Sequence, residues 1–435
     1  MQRFKPIYRT GLLLFILCLP VVKTAAQTTD VLNTFNPYSL FGIGDLSGQG
    51  SALTKGMGGI GIGVRDAKYI NWLNPAAVSE RDSLSFMLNF GLEQKNVLLE
   101  SGDHRSAYNG FNVHHLVLSL PLYKKMTVYA GVSPFSDVGY KVQRTETDPE
   151  IINTAGDIKY QKYGNGGITR LFAGVSVPLF RDLSLGAEGV YYFGTIDRFS
   201  NILFTTNSEF RQINTGTDHV LGGISAKVGL QYNIKFGGQS SLTLGATYSP
   251  KSRLTGDVTR FATAVNATGT LDTASFNVTA ANIEIPSEIG AGITLRKRDK
   301  WMIGADYIMQ DWSNSNFGTA PGVNYSPAVS HIVRAGFEYI PNSFDVRYYM
   351  KRVTYRGGVY YEKSYLSLNG QQVNNIGITF GMNLPIYILY NSLGVAINVG
   401  QRGSLNSSPV RERYVMFVIN FNLFDNTWFR KVRYD

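Results

Sequence analysis

Asn375-Ile376-Gly377-Ile378-Thr379-Phe380-Gly381-Met382-Asn383-Leu384-Pro385-Ile386 reads as one strand with two unlike faces. The even-numbered residues, from Ile376 through Ile378, Phe380 and Met382 to Leu384 and Ile386, are all large and apolar. Asn375, Gly377, Thr379, Gly381 and Asn383 are small or polar. Successive side chains on a strand point to opposite sides, so this alternation makes one greasy face and one thin polar face. The same pattern recurs nearby. Leu393, Val395, Ile397 and Val399 oppose Ser392, Gly394, Ala396, Asn398 and Gly400. Ala226, Val228, Leu230, Tyr232, Ile234 and Phe236 oppose Lys227, Gly229, Gln231, Asn233 and Lys235. Val415, Phe417, Ile419, Phe421 and Leu423 form a fourth apolar row.

These strands run nine to twelve residues, where a globular strand averages about 5–6. That length suits a tilted strand crossing a bilayer, which needs about 9–11. Lipid satisfies no backbone polar group, so spanning strands must close into a barrel. Strands are expected near 83–93, 111–122, 126–136, 167–180, 183–196, 218–236, 241–250, 286–297, 300–311, 330–341, 344–361, 373–385, 391–401 and 411–424, fourteen in all. Short connections (Tyr123–Lys125, Arg181-Asp182, Gly237–Ser240, Arg298-Asp299, Asn342-Ser343, Ile386–Tyr390) alternate with long ones (137–166, 197–217, 251–285, 312–329). Short periplasmic turns and long outer loops are the layout of an outer-membrane barrel. Tyr191, Tyr192, Phe193, Trp301, Tyr307, Trp312, Tyr348 and Tyr349 sit near strand ends, where aromatic girdles form. The expected fold is therefore all-β: a fourteen-stranded antiparallel transmembrane β-barrel.

Composition agrees. Of 435 residues only 17% are charged, against about 25% in soluble domains. The net charge is +10 with no basic block of the nucleic-acid type, so no nucleic-acid partner is expected. Arg3, Lys5 and Arg9, the apolar run 11–22 and Thr24-Ala25-Ala26 make a secretory signal over 1–26. Its removal takes four basic residues and leaves +6. The single cysteine, Cys18, lies inside that run, so disulfide scaffolds and CxxC metal or redox sites are excluded.

Residues 27–82 differ from the rest of the chain. They lack alternation and are rich in Gly, Asn and Pro. About 55 residues make a poor independent domain, and this stretch is too apolar for a disordered tail. It is expected to fold inside the lumen as a plug or hatch, ahead of the barrel (83–424) and a periplasmic tail (425–435). Gly56, Gly58 and Gly61 formally match GxGxxG. No βαβ unit surrounds them, and position 77 is Ala rather than an acid, so close backbone packing is the better reading. Phe41, Ile43, Ile60 and Trp72 are candidate lumen-lining residues, with Glu188, Lys227 and Asp306 from the polar strand faces. Buried charges are usually paired, and Arg65, Asp66 and Lys68 are natural partners for Glu188, Lys227, Lys235 and Asp306.

Gly56-Met57-Gly58-Gly59 and then Asn74-Pro75-Ala76 resemble the hatch of the FadL family of outer-membrane transporters for hydrophobic compounds. Tyr355-Arg356-Gly357-Gly358 and the ending Arg411-Glu412-Arg413-Tyr414, Trp428-Phe429-Arg430-Lys431, Arg433-Tyr434-Asp435 resemble FadL-like barrels of the Bacteroidota kind. The resemblance covers the mature chain. It implies a plugged fourteen-stranded barrel, integral to the Gram-negative outer membrane and in contact with its lipid. It also implies passive uptake of a hydrophobic small molecule. The same barrel type includes PorV-like proteins of type IX secretion and barrels attached to an outer-membrane protein assembly machine. A non-transporting docking platform, its long loops serving as contacts, is therefore the alternative.

Enzymatic chemistry finds little support. Ser330-His331 lacks a third positioned group. His114 and His115 are adjacent on a strand, so they are expected to face opposite sides, a poor metal geometry. No cofactor, metal or catalytic residue is expected.

Overall fold

In the computed structural model the chain divides into Met1–Val31 and Leu32–Asp435. The structure describes residues 34–425 except 82–84, 124, 181, 206–210, 266–270, 316–323, 387–390 and 406–409. The signal segment and nearly all of the C-terminal tail lie outside the described residues.

The strands are β1 (Asp45–Leu46), β2 (Phe86–Ser101), β3 (His104–Pro121), β4 (Thr127–Asp137), β5 (Tyr140–Thr145), β6 (Ile158–Pro178), β7 (Leu183–Phe204), β8 (Gln212–Phe236), β9 (Ser240–Ser249), β10 (Ser252–Val265), β11 (Leu271–Ile285), β12 (Glu288–Lys297), β13 (Trp301–Asp311), β14 (Tyr325–Pro327), β15 (Val329–Tyr339), β16 (Thr354–Leu368), β17 (Gln371–Pro385), β18 (Ser392–Arg402) and β19 (Arg411–Asp425). Fourteen of them are staves of a closed antiparallel barrel. The other five are β1, a strand of the N-terminal segment, and the extensions β5, β10, β11 and β14. Closure comes from β19 pairing with β2, from Arg411↔Glu100 to Asp425↔Phe86.

The two faces sort as the alternation demands. Ile376, Ile378 and Phe380 are more than half exposed on the outside, while Thr379 is buried within. Val228, Leu230, Tyr232 and Phe236 likewise point outward, and Gln231 is buried inward. An exposed apolar band on a barrel is stable only against lipid.

Two expectations about connections and one about the aromatic girdle need correction. The long outer loops are largely strand: β6, β7 and β8 run 21, 22 and 25 residues, well past a bilayer crossing. Segment 251–285 is mostly the β10–β11 hairpin, and 137–166 contains β5 and the helix Pro149–Ala155, capped by Asp148. Polar, β-branched residues such as Thr255, Thr259 and Thr263 carry the ladder beyond the lipid, which an apolar alternation cannot signal. The Asn342-Ser343 turn is instead a longer periplasmic connection with the short helix Tyr349–Arg352, and β16 starts at Thr354 rather than near 344. There the Asp345 carboxylate accepts the backbone N–H groups of Arg347 (3.0 Å) and Tyr348 (2.7 Å) and turns the chain. Finally, Trp312 and Tyr192 face inward and are buried, so they are not girdle residues. Tyr191, Phe193, Tyr307, Tyr348 and Tyr349 are exposed.

Candidate functional site in the barrel lumen

Residues 34–81 pack against the inward faces of the staves. Asn36 caps the turn Pro37–Leu40 by accepting the Tyr38 N–H. β1 then adds to the top of β4 (Asp45↔Asp137, Leu46↔Ser136). The short helix Ala52–Lys55 ends in the glycine run. Gly58 and Gly59 take φ of +70° and +86°, which side chains resist. The Gly58 N–H donates to the Thr379 hydroxyl at 2.7 Å, and Gly381 meets Gly56 backbone to backbone. A Cβ on Gly336 or Gly358 of the wall would overlap the Met57 backbone. The thin polar strand face is thus a docking track for the segment.

The Asn74-Pro75-Ala76 motif is equally fixed. Asn74 caps the turn Pro75–Ser79 by accepting the Ala76 N–H at 3.0 Å. Its amide donates to the Ile62 (2.8 Å) and Leu230 (3.2 Å) carbonyls. Wall glycines Gly186 and Gly229 leave room for Pro75 and Asn74. The Ser79 N–H donates to Ser176 Oγ at 3.0 Å.

Charges pin the segment around the circumference. Asp66 pairs with Arg296 at 2.9 Å, and Arg296 lies 3.6 Å from Glu338. Glu338 holds Arg356 through two hydrogen bonds, at 2.9 and 2.6 Å. Burial, the largest single effect, would raise the Asp66 carboxyl, but Arg296, Lys68 with its backbone N–H, and Arg356 together outweigh it and hold the group below its ordinary range. Asp45 receives Arg402 at 2.6 Å and Asn36 at 2.6 Å. Lys95 joins Glu412 at 2.7 Å, and Lys55 pairs with Glu93. Lys68 meets Asp299 at 3.1 Å, and Arg65 meets Glu80 and Ser184.

The four expected lumen charges divide. Asp306 meets the segment through its backbone: one carboxylate oxygen accepts both the Gly61 and Ile62 N–H groups, at 2.6 and 2.8 Å. Glu188 takes the Tyr129 hydroxyl, and Lys227 pairs with Glu288, so both are matched within the wall rather than with Arg65, Asp66 or Lys68. Lys235 is exposed at the end of β8, 3.8 Å from Asp182, and meets none of the three either. Phe41, Ile43 and Ile60 are packed into buried clusters. Trp72, Glu188, Lys227 and Asp306 instead line a cavity of about 160 Å³. A second cavity, also about 160 Å³, lies over residues 34–59. Both mix charged side chains with apolar ones: the first is somewhat more apolar than polar, and the second is about evenly divided.

His114 and His115 depart from the expected alternation. The β2–β3 register shifts between Gly91 and Leu92, so His114 is the extra residue of a bulge and both rings are buried. Their Nδ1 atoms are 2.8 Å apart. His114 Nε2 bonds the Gly48 carbonyl, and His115 sits against Trp72 with ring centroids 4.7 Å apart. Among the described residues no group of three or more His, Cys, Asp or Glu is placed to hold a metal. Ser330 is buried and His331 bonds Tyr307, so that pair makes no nucleophile–base couple.

One wall feature escaped sequence reading. β3 pairs with β4 only from Leu116↔Val132 to Pro121↔Thr127. Above that point β3 pairs with β2 alone among the described strands. Residues 34–49 stand beside this seam: Phe35 stacks on Tyr108 at 4.4 Å, and β1 occupies the β4 edge.

A family model described as BamG matches residues 8–435. The chain belongs to the BamG family. No curated protein matches this BamG-family sequence. Solved structures match its fold. A Pseudomonas aeruginosa FadL homologue is 12% identical with a TM-score of 0.57, covering 88% of this chain and 99% of that one. The Pseudomonas putida toluene transporter TodX is 16% identical with a TM-score of 0.55, covering 88% and 99%. The Ralstonia pickettii toluene transporter TbuX is 14% identical with a TM-score of 0.53, covering 86% and 97%. The BamG-family chain thus has the fold of the FadL-type β-barrels.

Proposed function

We propose that this barrel is a membrane-embedded, non-transporting subunit of an outer-membrane protein assembly complex, with residues 34–81 as a fixed plug. The carrying observation is the anchoring of that segment. Carboxylate–guanidinium pairs, the Asp306 cradle and backbone contacts onto wall glycines tie it to staves on many sides. Moving it aside would strand several buried charges at once, and each uncompensated one costs about 3–5 kcal/mol. The BamG family assignment favours assembly work over secretion. The ordered extensions β5, β10 and β11 and the periplasmic connection 340–353 supply surfaces for neighbours. Phe344 and Val346 there are 79% and 95% exposed.

The test is to purify the tagged full-length protein from its own outer membrane in mild detergent and weigh it by native mass spectrometry. The proposal expects stoichiometric protein partners of the assembly class. A lone barrel would overturn it.

The β3–β4 seam favours a second reading, passive uptake of hydrophobic small molecules. The structural relatives include toluene transporters, and a break in the wall offers a lateral exit. The charges in both inner cavities weigh against it, Lys55, Glu93, Lys95 and Arg402 in one and Arg170, Glu188, Lys227 and Glu288 in the other, because a pocket for an apolar cargo carries only a few polar groups. Accumulation of labelled toluene in vesicles carrying the protein would favour uptake.

A further inference from the structure

The cavity over residues 34–59 contains two charged side chains that make no direct ion pair among the described residues. Its other ionic groups are matched: Lys55 with Glu93, Lys95 with Glu412, Arg402 with Asp45, and Asp137 with the Ser47 hydroxyl at 2.7 Å. The two that make none are Arg334 and Glu362, on which Asp306 and Arg402 respectively act without direct contact. Arg334 donates to the Gly59 carbonyl at 3.0 Å, and Glu362 accepts from the Asn375 amide at 3.3 Å. Both are half-buried and line both inner cavities. In the β15–β16 register Arg334 faces Tyr360 and Ile332 faces Glu362. The two side chains are therefore diagonal neighbours on one inner face, a separation of roughly 7–8 Å between backbones. They are held close without touching.

A fixed guanidinium and a fixed carboxylate at that spacing complement a molecule carrying both signs. Guanidinium matches phosphate, and the carboxylate takes an ammonium by a charge-assisted hydrogen bond. The same cavity reaches the wall seam. Phe35 and Tyr108, the stacked pair, line both it and an outer crevice of about 1100 Å³. That crevice is walled by Ile376, Ile378 and Val399 on the lipid side. A charge-bearing chamber joined to an apolar crevice fits an amphiphile.

We propose that this chamber binds the phosphate–ammonium head group of a zwitterionic membrane lipid. Its phosphate sits at Arg334, its ammonium at Glu362, and its acyl part passes Phe35 and Tyr108 into the crevice. The site does not depend on whether the barrel docks partners or passes cargo.

The test is calorimetric titration of the full-length protein in a maltoside detergent. Three probes are compared: dihexanoyl-phosphatidylethanolamine, dihexanoyl-phosphatidylglycerol and free phosphoethanolamine. The expected result is one saturable site for the ethanolamine lipid and at least tenfold weaker binding of the glycerol lipid. Arg334→Gln and Glu362→Gln should each weaken the ethanolamine lipid at least tenfold with the unfolding midpoint unchanged. If one variant fails to fold, the other decides. Phe35→Ala should weaken the lipid and leave phosphoethanolamine unaffected. Absence of saturable binding, equal affinity for the two lipids, or full affinity in both charge variants would overturn the site. Phosphoethanolamine binding as tightly as the lipid would overturn its lipid character.

Discussion

The plug meets the wall in two different ways. Toward β12–β17 it lies on glycines and is tied by Asp66, Arg296, Glu338 and Arg356 in a buried chain of charges. Toward β3–β5 it is held by a two-residue strand, a ring stack, a histidine–carbonyl bond and hydrogen bonds from Asn36, Ser39, Ser47 and Gln49 to β4 and Gly139, beside a wall that is not fully zipped. The first side is tied by linked buried charges, so removing any one member leaves others stranded. The second is an edge, held among the described residues by hydrogen bonds and packing rather than by ion pairs. Any rearrangement of this barrel should therefore begin at the seam and leave the charged side in place.

The largest expected effect breaks the charged side. Glu338→Ala leaves Arg356 buried without its carboxylate and should cost about 3–5 kcal/mol, read as a fall in the urea midpoint of the detergent-solubilised barrel. The double change Glu338→Leu with Arg356→Leu should recover most of it, because an apolar pair leaves no stranded charge. Next comes steric eviction. Gly358→Val places atoms where the Gly58 and Met57 backbones lie and should cost about 1–3 kcal/mol, with faster proteolysis after residue 50. Acid sharpens the comparison further. The Asp66 carboxyl is held below its unfolded value of about 3.9. Its contribution is thus complete above that pH and is lost as pH falls through the lower folded value. The unfolding midpoint should drop in that acidic window, and Asp66→Asn should flatten the drop. The smallest effect belongs to the seam: Phe35→Ala should cost at most about 1.5 kcal/mol, measured by the same urea series.

Much of the barrel was legible because lipid imposes a simple rule. Apolar out and small or polar in repeats along every stave, and Ile376 to Met382 state it alone. The N-terminal segment stood apart by contrast, since 27–82 breaks the alternation. Its motifs were also informative. Gly56 to Gly59 and Asn74 to Ala76 are backbone-contact residues, and Arg356 and Gly358 of the late strand β16 meet the plug from the wall. The partners were not legible. Glu338, Arg402 and Glu412 are brought to the plug by barrel closure across hundreds of residues, and no local pattern encodes that register. The His114 bulge and the β3–β4 seam were hidden for a related reason: alternation describes a strand's faces and is silent about its edges. The outer extensions were missed because above the lipid a strand no longer needs an apolar face.

Hydrogen exchange on the full-length protein in nanodiscs bears most directly on the fixed plug. The amides of Gly58, Gly61 and Ile62, which donate to Thr379 and Asp306, should be protected as long as those of β16 and β17. Exchange of these three within seconds, while the staves stay protected, would mean a plug that leaves its seat, and would contradict the fixed anchoring proposed for it.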